Sequence, residues 1–536
     1  VSKATMHVTS DPGRAVVRRS SDTARKVSPL NTLSLVAQNL IHLSGPGLLV
    51  VAPLVVLGCN RETPDFGEEE EGESAITTLS VDDTGTASGS DSSASIGGSE
   101  TGSGSTDGGN GQCMAGQCVT KIDLLFVIDN SGSMGEEQLN LARNFPLLIN
   151  KLETLQDRDG NPANTDVNIM VTTTDMGNPL CTQFQEHPPE LGAPIDTGCN
   201  ARIERFTGLG ADPAMVPETC TIVCPTDVAL EGSVLHFWHD ENGDLQHNVP
   251  DGGTPAQALS CIGPQGINGC GYESTLEAML RALAPNADWN TGENSFLRSD
   301  AVLAIAVVTD EEDCSYQDPT LFTEENAAWE THPEAMNELA SSAICWNQGV
   351  ECADVEGDGV YESCLSKDPT DRLYGLDRYK SYLKDELFEG QGREVVMLGI
   401  LGVPLVTEHN MDPPYQPTKG GVLDLVYRDW IDGEYPGGDI LPAEWDAGRT
   451  AAHKQWEFGI GPGCTGTDMD GAFTGQAIPP VRVKEVCESL NRPDDPATSV
   501  DDPAIRCCIE SICDDDFSAA ITCLTGILQE TIAPVE

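Results

Sequence analysis

Asp129-Asn130-Ser131-Gly132-Ser133 sets one carboxylate and two hydroxyls around a glycine that permits a tight turn. These are hard oxygen donors, and the ions they suit are Mg²⁺, Mn²⁺ or Ca²⁺. A string this short is weak evidence by itself, so its surroundings decide. It follows Ile122-Asp-Leu-Leu-Phe-Val-Ile128, a nearly continuous apolar run expected of a strand buried on both faces. It precedes Leu139, Ala142, Phe145, Leu148, Ile149, Leu152 and Leu155, whose spacing of three and four predicts an amphipathic helix. Pro146 falls inside that helix and is expected to kink it. A divalent cation at a strand-to-helix turn is the chemistry this arrangement predicts.

Other candidate chemistry is weaker. Asp354-x-Glu356-x-Asp358-Gly359 begins like a calcium loop, but Leu365 stands where a closing Glu is needed. Asp157-x-Asp159-Gly-Asn161 is shorter still, and an acidic turn accounts for both. His236 and His239 flank Trp238 without a third ligand. The cysteine pairs Cys113-x4-Cys118 and Cys220-x3-Cys224 are loose for zinc and lack a paired histidine motif. No phosphate-binding loop, G-x-S-x-G elbow or Cys/His pair is present, so the chain is expected not to be an enzyme.

The elements needed to position the Asp129 loop follow the same pattern along the chain. Val167–Thr173, Ala301–Val308 and Glu394–Leu401 read as buried strands, with a short one around 511–513. Helices are expected around Leu276–Leu283, Leu373–Leu387, Val483–Leu490 and Phe517–Leu528. Alternation of this kind predicts an α/β fold: a doubly wound, mostly parallel sheet with helices on both faces. Three stretches rich in Gly, Pro, Asp and Cys interrupt it, at about 178–268, 314–372 and 403–478. Each begins where a parallel strand ends, so all three are expected to crowd around the carboxyl edge where ligands bind.

Phe126-Val-Ile-Asp129-Asn-Ser131-Gly-Ser133-Met134, after a strand and before a helix, resembles the D-x-S-x-S metal-ion-dependent adhesion site of von Willebrand factor type A domains. The resemblance runs from about 120 to 536, interrupted by the three insertions. It implies that Ser131 and Ser133 bind the metal directly and that Asp129 does so directly or through water. It also implies a second carboxylate at Asp310, in Thr309-Asp310. Glu311, Glu312 and Asp313 are expected to form a solvated acidic turn, with Asp313 a further candidate. Where the family carries a Thr ahead of an Ala-Leu helix, this chain has Glu273, with Ser274 or Thr275 one or two places on. Gly252-Gly-Thr254 looks more like the family's motif but lies too far from that helix. A coordinating Glu273 would make three carboxylates and neutralise most of the ion's charge, which departs from a site that captures acidic ligands. Thr309–Ser315 and Glu510–Asp514 also read much like large, cysteine-rich lipoproteins of myxobacterial type.

The charge balance limits the partners. Lys and Arg number 29 against 86 Asp and Glu, a net charge of −57, which repels nucleic acid and anionic lipid. Residues 48–57 form an apolar run of signal-peptide length, after Arg14, Arg18, Arg19, Arg25 and Lys26. It leads into Val56-Leu57-Gly58-Cys59, which resembles a bacterial lipobox whose Cys59 is lipidated, although Leu57 is larger than usual there. Residues 1–58 are therefore expected to be a signal peptide, 59–111 a disordered acidic tether, and 112–536 the folded domain.

Setting Cys59 aside, eighteen cysteines remain, which predicts disulfides in an exported chain. Local bridges are suggested for Cys113–Cys118, Cys261–Cys270 and Cys345–Cys352. Cys507 and Cys508 are expected to bond to different partners, and a bridge from Cys314 to pin the loop after its strand. The expected function is an outer-membrane or cell-surface binding module, lipid-anchored, recognising an extracellular or periplasmic protein or glycan. A structural lipoprotein with a merely stabilising metal, and an exported hydrolase with its catalytic residues in the insertions, remain open alternatives.

Overall fold

The computed structural model describes residues 111–114, 117–181, 187–209, 213–323, 326, 328, 341–367, 371–431, 450–467, 473–492 and 504–532. Cys59, the signal segment and the tether up to residue 110 lie outside the described residues.

The centre is a sheet built from β1 (Gly111–Met114), β2 (Gln117–Ile128), β3 (Thr165–Thr173), β4 (Leu235–His239), β5 (Leu245–His247), β6 (Val302–Val308), β7 (Val395–Leu401) and β8 (Cys507–Ser511). The strands stand in the order β8-β7-β6-β2-β3-β4-β5, and β1 pairs with β2 as a hairpin. Neighbours from β8 to β3 are parallel, while β4 and β5 extend the sheet antiparallel. The chain is thus α/β with a mostly parallel sheet. From β2 it passes to β3 on one side and later to β6 on the other. The carboxyl end of β2 is therefore a switch point, where the flanking connections diverge and leave a crevice.

Alternating side chains define the two faces. Ile122, Leu124, Phe126 and Ile128 pack beneath α1 (Gly135–Glu153), α2 (Pro255–Ile262) and α6 (Ser518–Thr531). Leu125 and Val127 point oppositely, towards α3 (Thr275–Ala282), α5 (Val481–Glu488) and α4 (Asp377–Ser381), which continues as a π-helix over Tyr382–Gly390. In β6 the small Ala304 and Ala306 face the first layer, and Leu303, Ile305 and Val307 the second. A one-residue slip would exchange these sizes between two packed faces, so the register is held firmly.

Helix α1 runs on through Pro146. Pro146 has no N–H for the Ala142 carbonyl, and Ser260 Oγ of α2 donates to that oxygen instead, at 3.3 Å. A neighbouring helix thus replaces the missing bond. The last strand lies earlier than expected, on Cys507–Ser511 rather than 511–513, because Met397–Leu401 pairs with that segment.

The 178–268 stretch is only partly an insertion. It contributes β4, β5 and α2, and Leu235, Phe237, Leu259 and Ile262 belong to the main core. Helix α2 carries a capping box between Thr254 and Gln257 with Pro255 in its first turn. Thr254 is therefore a helix cap. All three stretches leave from carboxyl ends of parallel strands, those of β3, β6 and β7.

Eight disulfides join described cysteines. Cys261 pairs with Cys224, and Cys270 with Cys181, rather than with each other. Cys345 likewise pairs with Cys314, and Cys352 with Cys364 across a short hairpin. Nearness in sequence misled because each bridge ties an insertion to its own root or hairpin. Cys507 and Cys508 bond to different partners, Cys487 and Cys523. Cys113 and Cys118 are register neighbours across the β1–β2 hairpin. So many disulfides point to an oxidising, extracytoplasmic compartment. Among the described residues no helix is long and apolar enough to cross a membrane.

Candidate metal centre

Asp129 directly follows β2 at the switch point, and its backbone N–H extends the ladder to Val308 O at 2.9 Å. Its side chain is fully buried and held from two sides. Oδ1 accepts from the Ser131 N–H at 2.8 Å, and Oδ2 from Thr309 Oγ1 at 2.6 Å. Ser131 Oγ lies 3.2 Å from Ser133 Oγ. Ser131 is buried and Ser133 exposed, so the loop opens to solvent at one end. Asp310, one residue past Thr309, receives a hydrogen bond from Ser133, which brings both strand ends onto one loop.

Gln138 fixes this loop against the segment before α3. Its Nε2 donates to Asp129 O and Gly266 O, and its Oε1 accepts from the N–H groups of Gln265 and Gly266. Gly269 N–H donates to Asn130 O at 2.8 Å. A Cβ at Gly269 would lie 2.3 Å from Asn130 Oδ1, so only glycine allows this approach.

Glu273 follows in the same segment. Its carbonyl accepts from Cys314 N–H at 2.7 Å, its side chain is 2 % exposed, and its Oε1 has no hydrogen-bond partner. Of the two alternative hydroxyls, Ser274 Oγ donates to Cys314 O, whereas Thr275 Oγ1 is buried without a partner. Asp310, 6 % exposed, likewise has an unpartnered Oδ1.

Glu312 and Asp313 are buried, contrary to the solvated turn expected. Glu312 accepts from the N–H groups of Val481 and Arg482 at the start of α5. Asp313 Oδ1 accepts from Leu276 N–H and Ser315 Oγ, and Oδ2 from Arg482 Nε. With both oxygens committed to anchoring α3 and α5, Asp313 is not a free ligand. The turn is interior because the starts of α3 and α5 pack over it.

The electrostatics are those of crowded anions. Burial pushes the Asp129 carboxyl up to about 6, and burial with the Asp129 charge pushes Asp310 up to about 7. Glu137, in the first turn of α1, rises to about 8 through burial and then the charge of Asp310. Glu273 and Glu311 are held well above the ordinary carboxylate range by burial first and neighbouring carboxylates second. The leading charges on these groups are other acids, a situation a bound cation relieves. Two hydroxyls at the loop and unpartnered buried oxygens on Asp310 and Glu273 are a donor set that fits a divalent cation. The carboxylates of Asp129, Asp310 and Glu273 do not gather within 4.8 Å of one another, so as they stand at least one would act through water.

Among the described residues the one tight group of three metal-ligand types is Cys508, Glu510 and Cys523. Its two sulfurs are bonded to each other, which leaves no thiolate to hold a metal. His236 hydrogen-bonds Asp166 at 2.9 Å and stacks on Trp238. Three residues along the same strand, His239 points to the opposite face, so the two histidines share no site. Asp157 and Asp354 spend their carboxylates on the N–H groups of their own turns.

Sequence reasoning passed over Glu137 and Gln138. An acid in the first turn of a helix is ordinarily explained by the helix dipole. The signal was their position, one turn beyond Ser133. No protein-family model matches the chain, and neither does any curated protein.

Proposed function

We propose that this chain is a von Willebrand factor type A domain acting as a binding module for a protein or glycan outside the cytoplasm. A divalent cation at the Asp129-x-Ser131-x-Ser133 loop and the surrounding insertions form the recognition edge. The observation that carries this reading is the aimed Asp129 carboxylate at the switch point of a mostly parallel sheet, with Ser131, Ser133 and Asp310 on the same loop system. Asp129, Ser131, Ser133, Asp310 and Glu273 would hold the ion, which supplies a positive charge and fixes the loop geometry.

The disulfides support work in an oxidising compartment. The Val56–Cys59 string supports a lipid anchor there, with the acidic tether holding the domain away from the membrane. The sequence carries no G-x-S-x-G elbow or Cys/His pair, so we favour recognition over hydrolysis.

The test is binding of the oxidised protein to panels of immobilised extracellular proteins and glycans, in Ca²⁺ or Mg²⁺ and then in chelator. Binding to at least one class that disappears with chelator and in Asp129→Ala supports the proposal. Binding that survives both moves recognition to the insertions alone. Acyl labelling of the wild type, absent from Cys59→Ala, tests the anchor separately.

A further inference from the structure

Glu137 stands in the first turn of α1, and its Oε2 is buried without a hydrogen-bond partner. The helix dipole accounts for an acid at an open helix start. It does not account for a buried, unpartnered carboxylate oxygen, which is costly in the absence of a compensating cation. The charge bearing most strongly on Glu137 is that of Asp310, followed by those of Glu136 and Asp129. Glu273, almost fully buried, has an unpartnered Oε1 and is repelled by Asp129, Glu311 and Asp310. Two glutamates from separate segments thus each bury an oxygen without a partner, and Asp310 and Asp129 are among the charges acting on both.

We propose that Glu137 and Glu273 are ligands of the cation at the Asp129 loop, and that this carboxylate-rich set selects Ca²⁺ over Mg²⁺. The proposal rests on the cation site put forward above. Mg²⁺ binds oxygen at about 2.1 Å in a strict octahedron, so its ligands span about 4.2 Å at most. Ca²⁺ accepts six to eight oxygens at about 2.3–2.6 Å, a span of up to about 5.2 Å. Ser131, Ser133 and the four carboxylates offer at least six protein oxygens, which suits calcium, whereas magnesium usually keeps several waters and takes one or two carboxylates. Charge works in the same direction: four carboxylates exceed the ion's two positive charges, so little attraction is left for an acidic ligand. The ion then ties together the end of β2, the first turn of α1, the segment before α3 and the end of β6. Two of these carry the disulfides Cys181–Cys270 and Cys314–Cys345 that root the insertions. Calcium occupancy therefore sets the order of the recognition surface, and the insertions make the contacts.

The experiment is calorimetric titration of the chelator-treated, oxidised full chain with Ca²⁺ and with Mg²⁺. It is repeated for Glu137→Gln, Glu273→Gln, Asp129→Ala and the control Glu136→Gln. We expect Ca²⁺ to bind at least tenfold tighter than Mg²⁺. Glu137→Gln and Glu273→Gln each weaken Ca²⁺ at least tenfold, whereas Glu136→Gln changes it less than twofold. Without metal, both ligand variants melt at or above the wild-type temperature, because glutamine keeps the shape of the side chain and relieves the crowding of acids; a purely structural glutamate would lower it. Calcium affinity unchanged in both glutamine variants but lost in Asp129→Ala overturns the added ligands and leaves the cation site standing. Mg²⁺ binding as tightly as Ca²⁺ overturns the selectivity. Wild type that takes up neither ion overturns both proposals.

Discussion

Replacing Arg482 by Met tests how the acidic turn after β6 is held. Arg482 and Asp313 are both fully buried, with Arg482 Nε 3.1 Å from Asp313 Oδ2. Asp313 Oδ1 accepts from Leu276 N–H at 3.0 Å and Ser315 Oγ at 2.6 Å, and Arg482 Nη2 donates to Tyr374 O at 2.7 Å. One carboxylate thus joins the end of β6, the start of α3 and the start of α5. Arg482→Met keeps the length of the side chain but leaves the Asp313 carboxylate buried and uncompensated. Breaking a buried pair from one side costs about 3–5 kcal/mol. With an unfolding entropy of about 2.1 cal/mol/K per residue, the roughly 360 described residues give about 0.8 kcal/mol/K, so Tm should fall by about 4–6 °C. Asp313→Asn in the Arg482→Met background removes the stranded charge while retaining an acceptor for Leu276. The double variant should therefore be less destabilised than the sum of the singles by at least about 1 kcal/mol. Calorimetric melting of the four oxidised proteins provides the cycle. A fall below about 1 °C for Arg482→Met, or strict additivity, refutes the assignment of this pair as the anchor.

Three further outcomes follow from the same geometry. Gly269→Ala forces a Cβ to 2.3 Å from Asn130 Oδ1 and should cost about 1–3 kcal/mol while weakening cation binding, checked by melting and metal titration. Glu510, beside His409 Nε2 at 2.9 Å, is pushed by burial up to about 7, so the folded chain holds its proton more firmly than the unfolded one. Stability should fall as pH rises from about 4.5 to 7, by at most about 3 kcal/mol from this group, and Glu510→Gln should flatten that part of the Tm-against-pH curve. Removing the Cys314–Cys345 bridge with paired alanines should cost about 2–4 kcal/mol. It should also speed amide exchange at 311–315 more than in β2; equal exchange in both proteins would show that the bridge does not pin the loop.

Much of this fold could be read from runs and spacing. β2, β3, β6 and β7 are buried on both faces, and continuous apolar runs report that condition directly. The Asp129 loop was legible because its strand and helix were. Elements that owe their place to long-range pairing were harder to see. β4 and β5 are short edge strands whose partners lie far away in sequence. Helix α2 carried a readable cap at Thr254-Pro255-Ala256-Gln257, obscured by the Gly-rich segment before it. Disulfide partners were not legible, since Cys181–Cys270 closes a separation of 89 residues. The burial of Glu312 and Asp313 depended on α3 and α5 packing over them, which no local pattern of four acids and a cysteine expresses. Glu137 was passed over for a different reason: a helix-start acid has an adequate local explanation, and only its buried, unpartnered oxygen calls for another.

The most direct test of the cation centre is the melting temperature of the oxidised full chain with and without saturating divalent cation, alongside Asp129→Ala. An ion present at a hundredfold its dissociation constant stabilises the folded state by about 2.7 kcal/mol. At about 0.8 kcal/mol/K this predicts a rise of roughly 3 °C in the wild type, absent from the variant. Equal melting with and without cation, or an equal rise in Asp129→Ala, would contradict a metal centre at this loop.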